Sequence, residues 1–123
     1  AFMMGVGLTT QEDVIYNDDG TLFTRDTWEY KIPGVMDVPI DWRVSLLANA
    51  PNPKGVLRSR AVGEPPLLMG CSVFYAIRYA LTSARQQVGK TGRFNFFTPS
   101  TVPATLNALV ANGVSIPQNF KLQ

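Results

Sequence analysis

Apolar and polar residues alternate without exception over Ile40-Asp41-Trp42-Arg43-Val44-Ser45-Leu46, the two-residue period of a strand with one face buried. Earlier in the chain, Val14-Ile15-Tyr16 and Thr21-Leu22-Phe23 flank Asn17-Asp18-Asp19-Gly20, a β-prone, turn-prone, β-prone order that predicts a hairpin, with Gly20 free to take positive φ. Val56-Leu57 predicts a further short strand after a proline-bearing turn at 49–54. From Pro66 to Gln87 the pattern changes to helical. Pro65 and Pro66 suit a helix start, Gly89 suits its end, and Arg78, Thr82 and Arg85 make a narrow polar stripe at i, i+4 and i+7. A second helix is predicted near 101–112, capped by Thr101 and ended by Gly113. A helix within residues 1–13 is weakened by Gly5 and Gly7, whose missing side chains permit close backbone packing. Together these elements predict a mixed α/β (α+β) fold: a hairpin, a long strand, a buried helix at 66–87 and a short helix near 101–112.

The remaining segments read as connections. Residues 24–39 show no sustained period and are expected to cross a surface, packed by Trp28, Tyr30 and Ile32. The loop from Lys90 to Pro99 is expected to be anchored by Phe94, Phe96 and Phe97, and the tail 114–123 to be extended or disordered.

Enclosure is the difficulty. Of the 18 residues from Leu67 to Ala84, 13 are apolar, so the helix needs protein on most sides, and a chain of 123 residues with a few thin strands supplies too little. More polypeptide is therefore expected, and the apolar, uncharged opening Ala1–Leu8 reads as the interior of a longer chain rather than a leader or a membrane span. Cys71 stands alone, so no intrachain disulfide can form. It is expected to be structural, as Met3, Met4 and Met69 are expected to fill core. With no His and one Cys, the chain cannot assemble a zinc site or a complete iron–sulfur ligand set from its own residues.

Charge is divided along the chain. Eight acids and two basic residues precede residue 42, a balance of −6; nine basic residues and one acid follow, a balance of +8. Basic runs and groove-reading or aromatic RNA-binding signatures are absent from the basic part, which argues against nucleic acid as partner. Its one acid, Glu64, lies in Ala61-Val62-Gly63-Glu64-Pro65-Pro66-Leu67. Gly63 lets backbone or ligand come close, Pro65 biases Glu64 toward extended geometry, and the helix start favours the ionised carboxylate while burial beside Leu67 and Leu68 would favour the neutral form. A carboxylate poised in this way can act as a general base. The alternative is a Glu that pairs with Arg58 or Arg60 and only satisfies local electrostatics.

The run Arg60-Ala61-Val62-Gly63-Glu64-Pro65-Pro66-Leu67, followed by Ser72-Val73-Phe74 and Ala76-Ile77-Arg78, resembles the C-terminal part of the molybdenum hydroxylases, the xanthine dehydrogenase and aldehyde oxidase family. Gly5-Val6-Gly7-Leu8, Tyr30-Lys31-Ile32-Pro33, Asp37-Val38-Pro39-Ile40, Val44-Ser45-Leu46-Leu47 and Thr98-Pro99 extend the likeness over roughly residues 1–112. The resemblance implies that residues 1–113 are the C-terminal segment of a molybdopterin-binding catalytic domain, with 114–123 as a tail. It implies Glu64 as the catalytic base beside the molybdenum, Gly63 as the position that admits the pterin, and no metal ligand from this chain. The implied reaction hydroxylates an N-heterocycle such as hypoxanthine or xanthine with water as oxygen source, or oxidises an aldehyde to a carboxylic acid. Also implied are [2Fe-2S] centres and FAD outside this chain, NAD or O2 as electron acceptor, a homodimer, and a cytoplasmic or peroxisomal location without a membrane.

Met4 stands where that family usually has Gln. Glu64-Pro65-Pro66 leans toward the xanthine dehydrogenases and Gly70-Cys71-Ser72-Val73-Phe74 toward the aldehyde oxidases, leaving the substrate open. Against these enzyme readings stands a non-catalytic one, in which the chain is a fragment or binding module whose helix completes a partner's core.

Overall fold

The computed structural model of the chain describes residues 1–116. Four helices carry the fold: α1 (Phe2–Thr10), α2 (Pro65–Met69), α3 (Cys71–Gln87) and α4 (Val102–Ala111). Among the described residues there is no strand and no sheet, which overturns the expected mixed α/β class. The hairpin shrinks to one antiparallel bridge, Tyr16 with Leu22, closed by Asn17 N–H on Thr21 O at 2.8 Å and Phe23 N–H on Ile15 O at 2.8 Å. Gly20 takes φ 82° as expected, but a single bridge makes a tight reversal and no ladder.

The strand expected at 40–46 is likewise absent, and Ile40, Val44 and Leu46 are exposed. The physical reason is the same at both places. A period of two marks a face suited to burial, yet a strand exists only when a second backbone accepts its N–H and C=O groups. At Val56–Arg58 a 3₁₀ turn replaces the short strand, with Leu57 at φ 49° and Arg58 at φ 61°.

The helices form for reasons visible in the sequence. The Thr101 hydroxyl accepts from Ala104 N–H at 3.3 Å and caps α4, and Gly113 follows its end at φ 74°. Gly89, at φ 75°, follows α3. The predicted helix at 66–87 is observed as α2 and α3, joined at Gly70, whose φ −58° and ψ −24° remain helical.

Helix α1 survives its glycines because they make the central crossing. A Cβ on Gly5 would fall 2.7 Å from the Leu67 carbonyl carbon and closer still to its oxygen, and one on Gly70 would fall 2.7 Å from Gly5 Cα. Backbone meets backbone there, offsetting the cost of about 1 kcal/mol that glycine carries in a helix. The far end of α1 is tied to the segment before α4, where Ser100 N–H and Oγ–H both donate to Thr9 O, at 2.8 and 3.1 Å.

Helix α3 reverses the usual amphipathic arrangement. Its arginines face inward: Arg78 donates to Phe96 O at 3.1 Å and Phe94 O at 3.3 Å, and Arg85 donates to Asn112 Oδ1 at 2.8 Å and Gly92 O at 3.0 Å. Both guanidinium groups lie over the Phe94 ring, at 4.9 and 4.3 Å, and Phe96 stacks on Phe74 at 5.5 Å. Arg85 is only 6% exposed, while Tyr79 is 76% and Leu68 of α2 72% exposed. The helix expected to be buried is therefore largely uncovered within this chain.

Its length and composition would suit a membrane span. The arginine side, however, is packed by this chain's own loop and α4, an arrangement that lipid does not require.

The connections divide in the same way. Phe94 and Phe96 anchor the 90–99 loop, whereas Phe97 is exposed. Tyr30 packs the 24–39 connection through its hydroxyl, which donates to Glu12, but Trp28 and Ile32 are exposed. Met4 and Met69 are exposed too and fill no core here. Leu81 and Phe96 are the buried hydrophobic side chains of the described residues. Of the expected tail, 114–116 form no regular element and 117–123 lie outside the described residues.

Candidate functional site

Glu64 is the N-cap residue of α2. Its backbone is helical, φ −89° and ψ −35°, rather than extended as Pro65 alone would favour. Its carbonyl accepts from Leu67 N–H at 2.8 Å, and closing this first turn outweighs the preference imposed by the proline. The carboxylate makes no cap hydrogen bond, and no ion pair joins it to Arg58 or Arg60 among the described residues. Arg60 instead donates to Ala50 O, and the one ion pair described joins Arg43 to Asp41. The purely electrostatic role considered for Glu64 therefore has no partner among the described residues.

Beside Glu64 lies a wide, shallow cleft of about 760 Å³, open to solvent and lined by Ala61, Glu64, Pro65, Leu67, Leu68 and Met69. Glu64 is the single charged group on an otherwise apolar wall. It is itself exposed, so the enclosure expected from Leu67 and Leu68 is not supplied by this chain. A Cβ added to Gly63 would meet nothing within 4 Å. That glycine is thus not demanded by neighbouring atoms of this chain, and the space beside it is free for another group.

Cys71 opens α3 and is half-buried with a free thiol. The arginines of α3 are committed to Phe94, the loop carbonyls and Asn112, and not to the Glu64 carboxylate. No pattern in the sequence marks the role of Leu67, which both lines the cleft and receives α1. The neighbouring signal was Gly5, whose small size pointed to a backbone contact without naming its partner.

The first 39 residues match the family model of a molybdopterin cofactor-binding domain. A xanthine dehydrogenase from Drosophila pseudoobscura pseudoobscura is 50% identical over 101 residues, covering 82% of this chain and 8% of that protein. The xanthine dehydrogenase/oxidase of Rattus norvegicus is 40% identical over 128 residues, covering 98% of this chain and 10% of the relative. The chain belongs to the xanthine dehydrogenase and aldehyde oxidase family. Aldehyde oxidase 3 of Mus musculus, 42% identical over 101 residues, covers 82% of the chain and contributes 8% of its own length. The chain spans about a tenth or less of the length of these relatives.

The site can be tested for its fit to a molybdopterin group. Open space at Gly63, an unpaired carboxylate and an apolar floor fit one wall of such a site. Among the described residues no group of three or more His, Cys, Asp or Glu converges on a point.

Proposed function

We propose that this chain supplies the general base of a molybdenum-dependent hydroxylase, with Glu64 as that base and an N-heterocycle of the hypoxanthine and xanthine class as substrate. The observation that carries the reading is Glu64, exposed, without an ion-pair partner among the described residues, and the one charged residue lining a wide, open cleft that is otherwise apolar. Gly63 would admit the pterin, and the Pro65-Pro66 start of α2 would hold the carboxylate on a stiff backbone.

When bound, the molybdenum cofactor supplies a Lewis acid and an acceptor for two electrons. The part left to this chain is proton transfer. Glu64 takes the proton from the oxygen, derived from water, that is to be joined to the substrate carbon, and the apolar wall of Leu67, Leu68 and Met69 keeps competing water from the carboxylate once the rest of the enzyme closes over it. General-base catalysis of this kind contributes about 10²–10⁴-fold. In this reading the complete enzyme is a cytoplasmic homodimer that carries [2Fe-2S] centres and FAD outside this chain and passes electrons to NAD or O2.

The 42% identity to a mouse aldehyde oxidase keeps a second substrate class in view, because the same base serves an aldehyde carbon. Glu64→Gln in the assembled enzyme tests the base. Turnover of xanthine is expected to fall by at least about 10²-fold with molybdenum content retained. Unchanged turnover would instead favour a structural role for Glu64. Comparing the wild-type enzyme on xanthine and on benzaldehyde separates the substrate classes, with preference for xanthine expected.

A further inference from the structure

Helix α1 contributes nothing to the cleft, yet its backbone presses on the residue that joins the cleft's floor to its carboxylate. The Leu67 side chain lines the cleft, and its N–H closes the first turn of α2 on the Glu64 carbonyl at 2.8 Å. Its own carbonyl group lies so close to Gly5 that a Cβ there would come within 2.7 Å of the carbonyl carbon. One turn further on, a Cβ on Gly70 would approach Gly5 Cα to 2.7 Å, so the crossing is closed from both helices. Gly7 differs: an added Cβ would meet the side chains of Pro33 and Glu12, not α2.

We propose that Gly5 and Gly70 are positioning residues, which set the height of α2 against α1 and thereby aim the Glu64 carboxylate. The inference rests on Glu64 acting as a base and adds the device that places it. Atoms in ordinary contact lie about 3.5–4.0 Å apart, and the Leu67 oxygen lies nearer the added carbon than the carbonyl carbon does, so a methyl group at Gly5 forces α2 outward by more than about 1 Å. The contact is backbone on backbone, and no side chain can swing aside to absorb the shift. The turn 64–67 is held by its own hydrogen bond, so Glu64 moves with Leu67. A misplacement of about 1 Å costs a reaction that depends on near-attack geometry about 10²-fold.

The test uses the complete enzyme carrying Gly5→Ala, Gly70→Ala, Glu64→Gln and the double change Gly5→Ala with Glu64→Gln. In each glycine variant kcat is expected to fall about 10²-fold, with KM changed less than about threefold and molybdenum content retained. In Gly5→Ala, amide exchange of Gly70, whose N–H donates to Leu67 O at 3.1 Å, should quicken as that carbonyl is pushed aside, while exchange of Leu67 and of α4, read by mass spectrometry, stays the same.

The double variant is the deciding arm. If the glycine acts through Glu64, adding Gly5→Ala to Glu64→Gln costs nothing further; an independent effect would multiply the two losses. Multiplying losses, unchanged kcat in Gly5→Ala, or loss of molybdenum from both glycine variants would each overturn the inference, the last because the crossing would then hold the fold and not the aim. Should Glu64→Gln itself leave turnover intact, the base reading fails first, and this inference falls with it by a separate and recognisable result.

Discussion

Replacing Arg85 with Met removes a charge while keeping most of the side-chain stem, so it separates what the guanidinium holds from what the methylenes fill. Arg85 joins three pieces of the chain: α3 that carries it, the loop at Gly92, and Asn112 at the end of α4. A hydrogen bond to a charged group contributes about 1.5–3 kcal/mol net, and there are two, at 2.8 and 3.0 Å. The guanidinium also covers the Phe94 ring at 4.3 Å, a contact that contributes about 0.5–2 kcal/mol. Retained stem packing and water reaching Asn112 return part of this, so a loss of about 3 kcal/mol is expected for the α3–loop–α4 unit. At 1.4 kcal/mol per decade, local opening should become about 10²-fold more frequent.

Hydrogen exchange in the assembled enzyme reads this directly. Lys90 N–H, which donates to Arg85 O at 2.9 Å, and the last turn of α4 should exchange about 10²-fold faster in Arg85→Met, while α1 does not change. Arg85→Lys keeps the charge but not the planar fork that reaches both acceptors, so it should fall between. An acceleration below about threefold in this unit would refute the assignment of Arg85 as its clamp. Equal acceleration in α1 would refute the claim that the clamp is local.

Three further outcomes are expected. Thr101→Ala removes the cap of α4 and should lower its local stability by about 1 kcal/mol, seen as faster exchange at Ala104 and Thr105 only. The hydrogen bond that Tyr30 donates to Glu12 raises the phenol above its ordinary pKa, so the contact stabilises fully below that ordinary value and is lost as pH rises through the raised one; alkaline difference spectra of wild type against Tyr30→Phe should show one phenol titrating late. The chain produced without the rest of its enzyme should self-associate and bind ANS, because Leu68, Tyr79, Ile40 and Leu46 are exposed; a monomer that leaves the dye dark would contradict this.

Local signals in the sequence found features whose causes lie within a few residues. The Thr101 cap, the glycines following α3 and α4, the Gly20 turn, the close approach at Gly5 and the proline start near Glu64 all depend on nearby backbone chemistry. Features that need a distant partner were misread in one direction. Alternation at 40–46 and β-propensity at 14–23 predicted strands, but pairing is a property of two segments, and the second is not among the described residues of this chain. Phe97, Trp28 and Ile32 were expected to pack because they are apolar, and they are exposed because the surface they suit is not here. At the candidate site the carboxylate and its free neighbour Gly63 were legible. The shortage of enclosing protein was expected from the apolar run 67–84, but which side chains it would leave bare was not, because that depends on the inward turn of Arg78 and Arg85.

Helix α3 states the same dependence in energetic terms. A helix folding alone would place Arg78 and Arg85 in water and turn Tyr75 and Tyr79 inward. Here the two arginines are spent on three loop carbonyls, Asn112 and an aromatic ring, at the expense of leaving the tyrosines exposed. The arrangement is stabilising only if the apolar side is covered by something else, since each large side chain removed from water contributes about 1.5–3 kcal/mol. The relatives are about ten or more times longer than the matched segment. The inward arginines then have a clear consequence: they bind the loop and α4 to α3 from within and leave Tyr75 and Tyr79 of α3, like Leu68 and Met69 of α2, exposed for a covering surface. Placement of the carboxylate and attachment of the segment are thus served by one continuous run of residues, 64–87.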